Sequence, residues 1–218
     1  MKYVSFSLWG EKPIYNIGAL RNSQLVKEFY PDWKMVLFHD NTVPKSTIDL
    51  LNENSVETLY IQNNSYGMFW RFFILEKPDC EYAIFRDADS RISNRESLAV
   101  HEWLRSGKTL HVMRDHPFHK IPAGTNQPSI LGGMWGIKNG KYPVVEMLHK
   151  FNGLTQHKYG NDQNFLVNLY ETVGNDKFTH DEFFENKPFP IKRENGRFIG
   201  ERINENDEPV NNDFEYVL

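Results

Sequence analysis

Cysteine is nearly absent from this sequence. Cys80 is the only one among 218 residues, which excludes an intrachain disulfide framework and a cysteine-based zinc site and fits a reducing compartment. Long apolar runs are missing as well, and no stretch approaches the ~20 residues a membrane-spanning helix needs. The N-terminal "MKYVSFSLWGEKP" has one lysine and an apolar stretch broken by Gly10 and Pro13. That is too short for the core and cleavage site of a signal peptide, so a soluble cytoplasmic chain is the expectation. Nor is there an excess of positive charge. With a formal net charge of −4, no general attraction to a nucleic-acid backbone or an anionic membrane is expected, and any anion must be bound locally. No internal repeat, low-complexity tract or clean linker divides the chain.

What is plentiful is aromatic. Rings make up 14% of residues, too many for a disordered chain and suited to core packing or to stacking on bases and sugars. A chain of this length buries roughly 70 to 75% of its unfolded surface, so a sizeable core is available.

Strand and helix patterns alternate. "KYVSFSLWG" reads as a strand, followed by a helix over "YNIGALRNSQLVKEFYPDW" with Asn16 as N-cap and Pro31 as stop. "KMVLFHD" is a strand ending on Asp40, "PKSTIDLLNEN" a helix, "VETLYI" a strand, and "MFWRFFILEKP" an amphipathic helix closed by Pro78. "EYAIFRDAD" is the next strand, "RESLAVHEWLRSG" a helix and "TLHVMRD" a strand. After the Gly- and Pro-rich "RDHPFHKIPAGTNQPS", whose later part is a candidate lid, come a strand over "ILGGMWGIKN" and helices over "PVVEMLHKF" and "GNDQNFLVNLYETV". The last is expected to be capped by Asn161 or Asp162, and the tail to hold loops and one hairpin.

This order predicts a single α/β domain over 1–218 with a mainly parallel central sheet flanked by helices. A nucleotide-binding half covers 1–115, and 116–218 closes over it. Ligands in such sheets sit beyond the carboxyl ends of the strands. Three candidate elements fall there: "LWG", Asp40, and the pair Asp87 and Asp89.

In "YAIFRDADSRI" two aspartates flank Ala88, which leaves room for a bulky ligand. Mg²⁺ or Mn²⁺ needs only one or two protein carboxylates when a diphosphate supplies the rest, and a cation also removes the repulsion between neighbouring carboxylates. A solvated turn in which Asp89 caps the next helix or pairs with Arg91 uses the same residues. So does a metal-dependent phosphatase, although the Gly-Thr pair that usually follows its D-x-D is missing here. A nucleotidyltransferase would want a Gly-rich basic loop near the N-terminus, which "SLWGEKPIYNIG" copies poorly.

With "SFSLWG", "FWRFFILEKPDCEYAIFRDADSR", "LGGMWG", "YGNDQNFL" and "HDEFFENKPFP" in this order, most of the chain resembles the metal-dependent glycosyltransferases of the GT-A fold, a Rossmann-like fold. The resemblance implies a D-x-D motif at Asp87 and Asp89 holding Mn²⁺ or Mg²⁺ on the diphosphate of a nucleotide sugar, usually a UDP-sugar, with a glycan or other hydroxyl compound as acceptor. It implies a donor contact for Arg71, and base or ribose contacts for Ser7, Leu8, Trp9, Gly10 and Asp40. Gly132 and Gly133 would floor the sugar site, where glycine allows close backbone approach. Asp162 resembles an acidic position that faces the reacting sugar in glycogenin-like transferases. His180 resembles a late histidine that completes the metal shell, although "HDEFFENKPF" lacks that motif's glycine and has one extra residue before Lys187. Lys187, Lys192 or Arg193 would then serve the phosphates. "MRDHPFH" adds Arg114, Asp115, His116 and His119, with the Asp115 carboxylate a candidate for the donor hydroxyls. Asp115 and Asp162 are the candidate catalytic acids, either one the general base if the reaction inverts the anomeric centre. A non-catalytic nucleotide-sugar-binding module is the other class this pattern allows.

Overall fold

In the computed structural model, which describes residues 1–119 and 130–218, the strand β1 (Lys2–Leu8) is buried from Tyr3 onward. That is the burial of a central strand covered on both faces. The strand β2 (Lys34–His39) pairs with it in parallel on one side, and β3 (Glu57–Tyr60) continues beyond β2. On the other side β4 (Tyr82–Phe85) is again parallel to β1. Next comes β6 (Trp135–Lys138), antiparallel both to β4 and to β5 (Leu110–Arg114), and β7 (Lys177–Asp181) is parallel to β5. The seven-stranded order is β3-β2-β1-β4-β6-β5-β7. The segment 120–129, which holds the candidate lid, lies outside the described residues.

Alternation along the strands divides the core between two faces. Val4, Phe6, Leu8, Leu37 and Ile84 pack with residues of the helices α1 (Pro13–Phe29), α2 (Lys45–Glu53) and α3 (Asn94–Ser106). Tyr3, Val36, Phe38, Ala83, Phe85 and Trp135 pack with the segment Gly67–Glu76 and with the helices α4 (Val144–Lys150) and α5 (Asn161–Val173). The small Ser5 and Ser7 on that second face let the backbone of the 67–76 segment press on β1. Ser5 donates to the Arg71 carbonyl at 2.7 Å, and the Arg71 N–H donates to Ser7 Oγ at 2.9 Å.

Several elements depart from expectation. The predicted amphipathic helix is a 3₁₀ helix over Gly67–Glu76, and from Phe69 to Leu75 every residue is buried. Three residues per turn align Phe69 with Phe72, and this pair meets Phe165, Phe85 and Trp135 edge-on or tilted. α1 begins at Pro13, a residue suited to the first helical position. Asn16 lies inside it and donates to the carbonyls of Gly10 and Lys12. Gly160, with φ of 82°, precedes α5, so neither Asn161 nor Asp162 caps it. The strand expected over "ILGGMWGIKN" starts only at Trp135, with Gly132 and Gly133 in a turn before it. The tail supplies the edge strand β7, whose Asp181 bridges back to Lys187. Among the described residues no helix is long and apolar enough to cross a membrane.

Candidate functional site

The turn after β4 is built from both sides. Arg86, buried, donates through Nε to Glu96 Oε1 at 2.6 Å and through Nη1 to the carbonyls of Phe85 and Trp135. Glu96 stands in the first turn of α3, whose N-cap Ser93 accepts its backbone N–H at 3.3 Å. Asn22 of α1 clamps the far side of the turn: its Nδ2 donates to the Ser90 carbonyl at 2.8 Å and its Oδ1 accepts from the Ile92 N–H at 3.1 Å. Gly18 of α1 lies so near the Ala88 carbonyl that a Cβ there would collide with it. Ala88 is therefore packed against α1 in the core, and the expectation that it leaves space for a ligand is corrected.

Asp87 and Asp89 project from this turn. Asp87 is half-exposed and pairs through Oδ1 with Arg71 Nη1, while its Oδ2 lies against Gly133 so tightly that a Cβ would overlap it. Arg71 is buried, bonds the Arg86 carbonyl through Nη1 at 3.1 Å, and reaches Asp162 Oδ2 through Nη2 at 3.0 Å. Gly132 sits over this second pair, where a Cβ would strike Asp162 Oδ2 and stand 2.6 Å from Arg71 Nη2. Arg71, Asp87, Asp162, Gly132 and Gly133 thus form one contiguous group. Burial raises the Asp162 carboxyl above its ordinary range and Arg71 opposes the rise. For Asp89, burial and then the neighbouring Asp87 raise it, with Arg202 opposing.

The ends of β1 and β2 also meet. Gly10, with φ of 75°, donates its N–H to Thr42 Oγ1 at 2.6 Å, and Thr42 in turn bonds Asp40 Oδ1 through both its N–H and its hydroxyl. Trp9 is 39% exposed and packs on Gly67, Tyr66 and Trp70. Its two predecessors face inward: Leu8 is core, and Ser7 Oγ is occupied by the Arg71 backbone. Any ligand contact from Ser7 and Leu8 therefore comes from main chain, not from their side chains.

The remaining expected residues lie elsewhere. Asp115 is fully buried: its oxygens accept from Arg95 at 2.7 and 3.0 Å, from Arg193 at 2.6 Å and from the Ile199 N–H at 2.9 Å. Its place in a sugar site is corrected to that of an internal anchor, because every oxygen is taken and none faces solvent. Arg193 is correspondingly bound to Asp115 and Glu182. His180 is buried in β7, with Nδ1 2.9 Å from His111 Nε2 and Nε2 3.0 Å from Glu102 Oε2. One ring nitrogen is engaged by His111 of β5 and the other by Glu102 of α3, which corrects its expected place in a metal shell. His119 is buried and accepts the Asp115 N–H. His116 lies against the Asp213 carbonyl, Arg114 pairs with Asp181 and Glu185, Lys187 with Glu185, and Lys192 lines a separate cleft of about 290 Å³ beside the start of α3.

Two carboxylates at a strand end form the oxygen-only donor set that Mg²⁺ or Mn²⁺ accepts when phosphate and water fill its remaining positions. Gly133, with no Cβ, lets the Asp87 carboxylate lie close to the backbone. Among the described residues no group of three or more His, Cys, Asp or Glu side chains gathers for a metal ion, so such a cation would rest on this pair and on its ligand. Sequence reasoning missed two participants. Arg86 stands next to the motif, and that adjacency was the one signal that could have pointed to it. Arg202, whose Nε is 2.7 Å from Asp89 Oδ2, comes from a loop 113 residues away and had no sequence signal.

No protein-family profile matches the sequence, and no curated protein does. Solved structures do match it. TarS from S. aureus superposes with a TM-score of 0.55 at 13% identity, over 86% of this chain and 59% of that one, so the chain spans little more than half of the TarS fragment. The galactosyltransferase LgtC, in complex with donor and acceptor sugar analogues, gives 0.54 at 13% identity, over 84% and 74%. A mannosyltransferase from Pyrobaculum calidifontis, in complex with GDP-Man and Mn²⁺, gives 0.54 at 12% identity, over 84% and 55%. At such identities the likeness is one of fold, and this chain shares that fold, the GT-A fold, a single α/β domain built on a mostly parallel seven-stranded sheet.

Proposed function

We propose that this chain transfers a sugar from a nucleotide sugar, a UDP-sugar by preference, to a hydroxyl acceptor, with Mg²⁺ or Mn²⁺ held by Asp87 and Asp89 against the donor diphosphate. The observation that carries this reading is the Asp87–Arg71–Asp162 group beneath Gly132 and Gly133, beside the linked ends of β1 and β2. The galactosyltransferase and mannosyltransferase complexes with donor compounds support the same class of chemistry. The N-terminal half would hold the nucleotide, with Trp9, Gly10 and Asp40 at the base and ribose, and the half after residue 115 would cover the sugar and acceptor.

In the transfer the bond from the anomeric carbon to the diphosphate oxygen breaks, its electron pair leaves on the diphosphate, the acceptor oxygen bonds to the anomeric carbon, and the acceptor's hydroxyl proton passes to the departing diphosphate or to water. A cation held by Asp87 and Asp89 would supply positive charge against the leaving diphosphate. Arg71 is buried and fixed on two carboxylates, so it contributes a preorganised charge beneath the pair with no reorganisation during reaction. Asp162 has Oδ1 on the Gln163 N–H and Oδ2 on Arg71. It is 3% exposed, so we assign it the positioning of Arg71 in place of proton abstraction from the acceptor. Gly132 and Gly133 keep side chains out of the space over these groups.

Incubation with UDP-, GDP- and dTDP-sugars, with Mn²⁺ and with EDTA, tests the proposal. Metal-dependent release of the nucleoside diphosphate is expected from one nucleotide class. It should fall at least about a hundredfold in Asp89→Ala with the circular dichroism spectrum retained. Phosphate release from simple phosphomonoesters would favour a phosphatase instead, and binding without turnover a non-catalytic module.

A further inference from the structure

The two aspartates have unlike arginine partners. Arg71 is locked: its side chain is 5% exposed and spans Asp87 and Asp162. Arg202 is 50% exposed, while Asp89, which it holds at 2.7 Å, is 13% exposed. Half of the Arg202 side chain thus faces solvent while its tip holds Asp89.

The backbone that carries Arg202 is held independently of its side chain. The Ile203 N–H donates to the Asp89 carbonyl at 2.7 Å, and Ile203 bridges Pro209 in a short hairpin whose Val210 N–H bonds the Arg202 carbonyl. Arg91 ties this hairpin down through the Asn204 carbonyl at 3.0 Å and Asp207 at 2.9 Å, and Arg21 adds a second pair to Asp207 at 3.2 Å. The Arg202 side chain can therefore turn without the hairpin moving.

A divalent cation on Asp89 and a guanidinium on the same oxygen repel one another, so the two compete for that carboxylate. A guanidinium released from Asp89 has a fork of donors matched to phosphate oxygens. Resting on the donor-site reading above, we infer that Arg202 and the divalent cation occupy Asp89 in turn, and that Arg202 on release pairs with the donor diphosphate. Arg202 thus competes with the metal alone and cooperates with the metal and nucleotide together.

The test compares wild type, Arg202→Ala and Arg202→Lys in two titrations: Mn²⁺ alone, followed by electron paramagnetic resonance of the free ion, and UDP at saturating Mn²⁺, followed by calorimetry. Removing the half-exposed Arg202 from this pair should tighten Mn²⁺ binding about threefold to fivefold in Arg202→Ala. Losing a charge-assisted phosphate contact should weaken UDP binding about tenfold or more. Arg202→Lys should lie between the two in both titrations. Unchanged or weaker Mn²⁺ binding in Arg202→Ala, with Mn²⁺ still lost in Asp89→Ala, overturns the competition and leaves the metal site standing. Unchanged UDP binding overturns the phosphate role. An absence of Mn²⁺ binding in all three proteins overturns the inference and the metal site together.

Discussion

Arg71 sits between two carboxylates with no route to water, and that geometry fixes what its loss would do. Replacing it with methionine leaves buried Asp162 without its cation, and breaking such a pair costs about 3 to 5 kcal/mol. Urea unfolding of Arg71→Met should show that loss, and Asp162→Asn should recover part of it in the double variant. At Gly133 the expected effect is on binding more than on folding. The Cβ of Gly133→Ala would displace the Asp87 carboxylate, so Mn²⁺ affinity should fall while the overpacking costs stability by about 1 to 3 kcal/mol. Asp115→Asn separates anchor from catalyst. Stability should drop by about 3 kcal/mol or more, whereas the UDP affinity of the protein that remains folded should be close to wild type, as measured by calorimetry. The sequence made Asp87, Asp89 and Arg71 visible because they lie close together around one strand. Asp115 misled because its donors, Arg95 and Arg193, arrive from 20 and 78 residues away, and nothing local in "MRDHPF" announces them.

At the scale of elements, strands were the most legible part, since β-branched and aromatic runs ended by Gly or Asp mark buried strands whatever their neighbours do. Strand direction was less so: β6 runs against both its neighbours, and pattern alone carries no orientation. The 3₁₀ helix was misread because the apolar residues of "MFWRFFIL" fit a helical face, while the close contacts with β1 and α5 that bury it all round are tertiary. α3 was read correctly with its terminal glycine, but the cap turned out to be Ser93. Ser93→Ala should therefore cost about 1 kcal/mol by chemical denaturation and loosen the Glu96 carboxylate that holds Arg86. The loop carrying Arg202 shows the limit most plainly, because an irregular segment has no periodicity from which a contact with Asp89 could be read.

At the scale of the whole molecule, buried histidines make the fold weaker toward acid. Burial, aided by His116 and two arginines, holds His119 down at about 3, so it is neutral in the folded protein. The unfolded chain takes up its proton near pH 6.5. Between about pH 6.5 and about pH 3 the unfolded state binds the extra proton, so stability falls as the pH is lowered through that window. The slope is about 1.4 kcal/mol per pH unit for each such proton. Burial also pushes His111 well below its ordinary value, which adds to the same trend. Urea denaturation from pH 7 to 4 should show the decline, with a shallower slope in His119→Asn, whose side-chain oxygen can still accept the Asp115 N–H.

The central claim is that a cation on Asp87 and Asp89 joins this chain to the diphosphate of a nucleotide sugar. Thermal unfolding with UDP, in Mn²⁺ and in EDTA, tests it most directly. UDP should raise the Tm in Mn²⁺ and leave it unchanged in EDTA, and Asp89→Ala should abolish the rise. A UDP-dependent rise of equal size in EDTA would contradict the account.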